Sequence, residues 1–285
     1  DARHYYMDDT AHRIQSQKEG LKTPRDGKVR KRTGVYTSGL IATVTDNQHI
    51  VLFKTNIGHA GEFIDEILAK RTNSLTYPIV MSDGLVSNNP TEMPVRQSLC
   101  NSHGRRYFYD VHSHFPEEVE WVLAEYGKIW EVDHITVERG MSAQARCEYH
   151  RTHSLPVMKA IRDWGLGHFD NETVEPNSGL GKAINYFIKH FDGLTAFSQV
   201  PGAQVDNNLM ENQLKLVIRD RKNAMFKRTQ AGADIGDVIT SLIATCVESG
   251  TNALDYLITL QRENDRVKVS PEQYLPWNYI SGGPD

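Results

Sequence analysis

Apolar and β-branched residues gather early in the chain in three stretches, about Arg3 to Gln15, Thr33 to Asp46 and His49 to Asn56, separated by Gly, Asp and Asn. Tyr, Val, Ile and Thr suit a pleated, half-buried surface, so the pattern predicts three strands. The second and third meet at Asp46-Asn47, which predicts an antiparallel hairpin. Phe63, Ile64, Ile67 and Leu68 then recur at helical spacing behind Gly61, and the apolar run Tyr77 to Met81 ends at Ser82-Asp83-Gly84. The order strand, strand, strand, helix, strand predicts an α/β domain with a mixed sheet, its later strand returning through a helical crossover.

After Cys100 the period changes. Trp121, Val122, Tyr126, Ile129 and Trp130 follow helical spacing, and no clear strand is expected before about residue 185. A further helix is predicted from about Leu180 to Phe197, where Ile184, Phe187, Ile188, Phe191 and Leu194 form an apolar stripe behind Asn177-Ser178-Gly179. Beyond the Pro201-Gly202 turn another should start near Asp206-Asn207-Asn208, with Met210, Leu214 and Val217 on one face. Two more are expected over Ile235 to Val247 and Ala253 to Gln261.

The 285 residues, 39% hydrophobic and 24% charged, have an ordinary globular composition. No apolar run approaches the roughly 20 residues of a membrane span. The start resembles no signal peptide and reads like the middle of a longer protein. Cys100, Cys147 and Cys246 are too few and scattered for a disulfide framework, which suits a reducing cytoplasm. The net charge of -4 argues against indiscriminate coating of nucleic acid. Basic residues are nevertheless concentrated: Lys18, Lys22, Arg25, Lys28, Arg30, Lys31 and Arg32 stand against Glu19 and Asp26, and Lys215, Arg219, Arg221, Lys222, Lys227 and Arg228 against Asp220. Such runs mark either phosphate contacts or solvated faces.

Three acids are candidates for chemistry. Asp8 lies within a predicted strand, where an acid is an expensive choice, Asp83 directly follows an apolar strand, and Glu211 lies in the first turn of a helix. Brought together they would repel one another, a penalty that divalent cations remove. Carboxylate oxygens suit magnesium, and two ions about 4 Å apart promote in-line phosphoryl displacement. Simpler readings exist for each acid. Asp83-Gly84 reads as a turn, and on spacing alone Asn208-x-x-Glu211 favours a capping box. Asp8 and Asp9 point to opposite faces of a strand, and local pattern does not choose between them.

Taken together, these segments resemble the insertion sequence 66 family of bacterial transposases, from Met7 to about Trp277. The strongest stretch is PNSGLGKAINYFIKHFDGLTAF followed by VDNNLMENQLKLVIRDRKNAMF, which looks like the family's Ser-x-x-Gly-Lys-Ala-Ile helix and its Asp-Asn-Asn-x-x-Glu and Arg-Lys-Asn motifs. Asp8-Asp9-Thr10 resembles the family's Asp-Glu-Thr, which selects Asp8. Asp83 and Glu211 fall where the family has its second and third catalytic acids. Cys100-Asn101-Ser102-His103-Gly104-Arg105-Arg106 is similar to a Cys-x-x-His-x-Arg-Arg motif, and Leu275-Pro276-Trp277 to the C-terminal signature. Asp9 replaces the family's usual Glu, and Asn212 stands where an Arg is common.

The resemblance implies a ribonuclease H-like mixed sheet flanked by helices, with an all-helical insertion before the helix carrying Glu211. On that basis residues 1–100 form the first part of the catalytic core, 101–185 the insertion, 186–262 the rest of the core and 263–285 a tail. It implies a DDE transposase that cuts and joins DNA, with Asp8, Asp83 and Glu211 as catalytic acids holding two Mg2+ or Mn2+ ions. Terminal inverted repeats and target DNA would be the substrates, and a homo-oligomer would assemble at the synapse in the bacterial cytoplasm. His103, Arg105, Arg106, Lys215, Arg221, Lys222 and Asn223 are the expected DNA contacts. Cys100 and His103 equally fit a packing role at the start of the insertion. Cys147, His150 and His153 have zinc-like spacing without a complete ligand set. A related nuclease or resolvase, or an inactive DNA-binding derivative, are the competing readings.

Overall fold

The computed structural model describes residues 2–22, 30–32, 34–45, 48–72 and 76–278. The strands are β1 (His4–His12), β2 (Gly20–Lys22), β3 (Arg30–Arg32), β4 (Val35–Thr45), β5 (Gln48–Asn56), β6 (Ile79–Ser82) and β7 (Arg96–Leu99). The longer helices are α1 (Ala60–Leu68), α2 (Asn101–Tyr109), α3 (Pro116–Glu138), α4 (Ala143–His153), α5 (Leu155–Asp170), α6 (Gly179–Lys189) and α7 (Phe191–Leu194). Beyond them come α8 (Asn208–Ala224), α9 (Gln230–Glu248), α10 (Ala253–Arg262) and α11 (Asn264–Val269). The chain forms two compact units, one of Asp1–Thr76, Ser87–Pro94 and Leu209–Asp285, the other of Tyr77–Val86 and Val95–Asn208. Each combines strands with helices, so the class is α/β. Among the described residues no helix is long and apolar enough to cross a membrane.

In the first unit β1, β4 and β5 form an antiparallel sheet in which Asp8 faces Gly39 and Gly39 faces Phe53. The expected hairpin of β4 and β5 is present, its Asp46-Asn47 turn lying outside the described residues. Side-chain alternation divides the sheet. On one face Asp9 and Lys54 meet α1, through an Asp9–His59 ion pair of 2.8 Å and Lys54 over the Phe63 ring. On the other, Met210 of α8 lies against Gly39, and Arg221 donates to Thr10 and to the Ala11 carbonyl.

The free edge of β5 is capped by side chains. The amides of Val51 and Phe53 donate to Thr245 Oγ1 (3.0 Å) and Ser241 Oγ (2.8 Å), and that of Thr55 to the Asp237 carboxylate. Four residues of helix rise about 6 Å and two of strand about 6.8 Å, so α9 offers one acceptor per outward amide. The edge is thereby closed to pairing with another chain. Helix α9 begins at Gln230, before the expected Ile235, because Thr229 Oγ1 accepts the Gly232 amide and caps it.

The second unit sets the parallel pair β6 and β7 among α2 to α7. Strand β7 escaped prediction because Arg96 and Gln97 are exposed and break the apolar pattern. Its core gathers Phe108, Val122, Tyr126, Ile129, Met158, Ile184 and Phe187, all buried, and Trp121 stacks on Trp164 at 5.1 Å. Asn101 ties two distant stretches together, its side-chain amide donating to the carbonyls of Leu194 (2.9 Å) and Val205 (3.0 Å). The helix expected to run unbroken to Phe197 ends at Lys189 and restarts as α7, where Gly193 lets the backbone close on Leu99.

A buried polar network joins the helices of this unit. His150, fully buried, contacts Ser154 Oγ (2.9 Å) through Nδ1 and Asp133 Oδ1 (3.0 Å) through Nε2, while Arg146 donates to the same carboxylate at 2.6 Å. Both His150 nitrogens are thus committed to protein partners. Burial acts to raise the Asp133 pKa, but the His150 and Arg146 contacts outweigh it and hold the group below its ordinary 3.8. Its stabilising contribution is therefore present above that value and lost as pH falls through the lower folded-state pKa.

Asp133→Ala strands Arg146 and His150 and should cost about 2–4 kcal/mol. Urea unfolding with an unchanged midpoint would refute this role. Ser241→Ala, which removes only the acceptor for the Phe53 amide, should cost about 1 kcal/mol, and faster hydrogen exchange at Phe53 is the matching readout.

Candidate functional site

In the first unit the alternation of β1 decides which aspartate faces α8. Asp9 is turned towards α1 and paired with His59, its side chain only 11% exposed. Asp8 projects to the opposite face, the one covered by α8. It is partly buried, and its Oδ1 accepts the Asp9 backbone amide at 2.8 Å.

Glu211 reaches the same neighbourhood because of what precedes it. A Cβ built on Gly39, the strand partner of Asp8, would lie 2.3 Å from Met210 Cε, so the missing side chain admits the start of α8 to the sheet. Met210 is fully buried there, and Glu211 follows it, partly exposed. Farther along, the Arg221 contacts with Thr10 and Ala11 keep α8 alongside β1. Asp8 and Glu211 are thus carried on facing elements of one unit.

In the second unit Asp83 follows the last residue of β6, at the carboxyl end of a parallel pair, the place where open α/β sheets hold ligands. Its Oδ1 accepts the Leu85 amide at 2.9 Å, and Gly84 has φ 86°, so the turn expected of Asp83-Gly84 is also present. Tyr186 braces it, donating its hydroxyl to the Asp83 carbonyl at 2.9 Å while its ring stacks on Tyr107 of α2. Burial first, then the neighbouring Tyr107 and Asp83, raise the Tyr186 pKa strongly, which keeps the hydroxyl protonated as a donor.

The Cys-x-x-His-x-Arg-Arg segment starts α2 at the end of β7. The Cys100 amide donates to the Ser82 carbonyl (2.9 Å), and Cys100 Sγ accepts the Asn207 amide (3.3 Å). Cys100 is buried, and these bonds fit the packing role considered for it. His103 and Arg105 are partly buried and Arg106 is exposed; Arg105 also lies over the Tyr109 ring. Tyr186 therefore connects the Asp83 turn with α2, the helix that starts at the end of β7 and carries His103, Arg105 and Arg106.

The remaining expected contacts lie on α8. Lys215, Lys222 and Asn223 are exposed, whereas the Arg221 guanidinium is held at β1, so a DNA role for it would have to use its other donors. Sequence reasoning passed over Gly39, Tyr186 and the Asp9–His59 pair. Only the first carried a local signal, an isolated glycine within a β-branched run. The oxygen donors on Asp8, Asp83 and Glu211 are of the chemical kind that holds magnesium or manganese.

The family described as Transposase IS66 family matches residues 1–235. Among curated proteins, the uncharacterized protein y4jD of Sinorhizobium fredii is 31% identical over 191 residues, covering 65% of this chain and 36% of that protein. The uncharacterized proteins y4qI and y4hP of the same organism are 26% and 24% identical, covering 63% and 66% of this chain and 33% and 36% of their own lengths. The chain thus spans about a third of the length of the curated relatives it matches. No solved structure matches. By the extent of the family match, the chain belongs to the IS66 family of transposases.

Proposed function

We propose that this chain is the catalytic part of a DNA transposase with a ribonuclease H-like core, in which residues 101–185 are a helical insertion. Asp8, Asp83 and Glu211 would hold two Mg2+ or Mn2+ ions, and the substrates are the element's terminal inverted repeats and target DNA, handled by an oligomer. The observation that carries the reading is the facing of Asp8 and α8. Of two adjacent aspartates, one is spent on His59 and the other is presented to the helix bearing Glu211.

Bound metal ions supply activation of a water or 3' hydroxyl and stabilisation of the leaving oxygen. The protein's own share is placement. The carboxylates of Asp8 and Glu211 are fixed by strand register and helix packing, and the Asp83 turn by Tyr186. His103, Arg105 and Arg106 supply donors for phosphate oxygens, with Arg suited to bidentate contact. Joining of 3' ends by transesterification needs no covalent enzyme intermediate.

Asp8→Asn, Asp83→Ala and Glu211→Gln should each lower strand cleavage and strand transfer by about a thousandfold or more. Asp9→Asn should leave turnover within a fewfold of the parent and cost about 1 kcal/mol of stability. Equal loss of turnover in the Asp8 and Asp9 variants, with both folded, would remove the proposed assignment. Products that are cut and never joined would identify a nuclease instead.

Gly39→Val tests the placement itself. Overpacking against Met210 and Phe53 should cost about 1–3 kcal/mol and lower turnover beyond what the stability loss explains. Full turnover in a stable Gly39→Val protein would show that the close approach of α8 is dispensable.

A further inference from the structure

Beyond the first turn, which holds Glu211, the outward face of helix α8 is a row of cations. At about 100° per residue, Lys215, Arg219 and Lys222 fall within an arc of roughly 60°. Asn212, Lys215, Ile218, Arg219 and Lys222 line a shallow groove along this face. Arg221 points more than about 100° away from Arg219, towards the sheet, where it bonds Thr10 and Ala11. The one acid within the basic run, Asp220, is paired with Lys227 at 2.5 Å and does not neutralise the row. Among the described residues no ion pair involves Lys215, Arg219 or Lys222, and Lys215 Nζ donates to Asn212 Oδ1 at 2.7 Å.

Three cations held on one rigid helix without counter-charges repel one another, an arrangement that a line of anions relieves. The row from Lys215 to Lys222 is about 10 Å long, the scale of a few neighbouring phosphates on a strand that carries one charge per about 3.4 Å of duplex axis. Its surface is a shallow groove lined by flexible cations and one aliphatic side chain, and long cationic side chains of this kind serve as phosphate contacts.

We infer that the outward face of α8 is a sequence-independent track for the sugar-phosphate backbone of one DNA strand, with Lys215, Arg219 and Lys222 each contacting a phosphate and Asn212 orienting Lys215. The inference rests on the DNA-processing role proposed above. It assigns to Arg219 a contact that motif reasoning left out, and to Arg221 the task of fixing the helix beneath the track. Glu211, in the first turn of the same helix and at the start of the same face, is fixed relative to the strand that the track would hold.

The test is the salt dependence of binding to a mixed-sequence DNA duplex, measured in chelator so that no reaction occurs. Each of Lys215→Gln, Arg219→Gln and Lys222→Gln should reduce the slope of log affinity against log salt by about 1. The triple variant should bind on the order of ten- to a hundredfold more weakly at moderate salt. A charge-matched control, Arg262→Gln with Arg266→Gln and Lys268→Gln, should retain the parent slope. The three track residues are exposed and outside the core, and an unchanged unfolding midpoint confirms that each variant is folded. A triple variant with the parent's slope, or a control that loses as much, overturns the track while leaving the proposed chemistry intact. A parent protein that binds no DNA at all overturns both. Crosslinking from position 219 to the DNA backbone, lost at high salt, is the direct positive result.

Discussion

The close approach of α8 to its sheet is the contact on which the first unit's arrangement depends. A strand has two faces, and a change of one residue in register moves every side chain to the other. With Asp8 opposite Gly39, the carboxylate shares a face with the one position in β4 that has no side chain, and Met210 enters the space left there. A larger residue at 39 would hold the start of α8 away from the strand that carries Asp8. The glycine weakens β4 by backbone entropy and loss of packing, a cost the buried Met210 contact offsets. The position of Glu211 thus follows from an absence of atoms two elements away.

The second unit fixes its acid by different means. Asp83 lies in a turn, and a turn alone is a poor platform because connecting segments are more mobile than the elements they join. Here the turn is held by a neutral tyrosine hydroxyl donating to its carbonyl and by the Leu85 amide donating to the Asp83 carboxylate. Asn101 and Cys100 bind the start of α2 to Leu194, Val205 and Asn207, so residues far apart in sequence close on the end of β7. The cysteine and asparagine of the Cys-x-x-His motif are therefore accounted for by architecture.

Much of the fold was legible because its signals are local. The three long strands, α1, β6 and the stripes of α6 and α8 follow from period and punctuation, and the structure moves their ends by only a few residues. Strand β7 was not legible, since a short strand with Arg and Gln exposed has no alternation to read. The hairpin of β2 and β3 lay hidden in a run whose composition speaks only of charge. At the site, a motif match separates Asp8 from Asp9 in sequence, and in space the two differ because Asp9 contacts His59 while Asp8 lies on the face towards α8. His59 is fifty positions from Asp9, and nothing in either segment announces their pairing. The Tyr186 brace on Asp83, with a separation of 103 residues, is invisible for the same reason.

Helix α8 presents a packing face and a charged face on one element. Its inward side is apolar except for Gln213 and Arg221; Gln213 donates to Glu248 and the Arg221 guanidinium to strand oxygens, so the helix is anchored at both ends, by Met210 and by Arg221. Its outward face is cationic. Glu211 stands in the first turn of that outward face, where the helix N-terminus favours negative charge. Lys215 lies at i, i+4 spacing from Glu211, a spacing at which Glu and Lys can pair, and its ammonium is bonded to Asn212. An asparagine at position 212 accordingly does more than replace a charge. It also accepts a hydrogen bond from Lys215, the lysine one turn beyond Glu211.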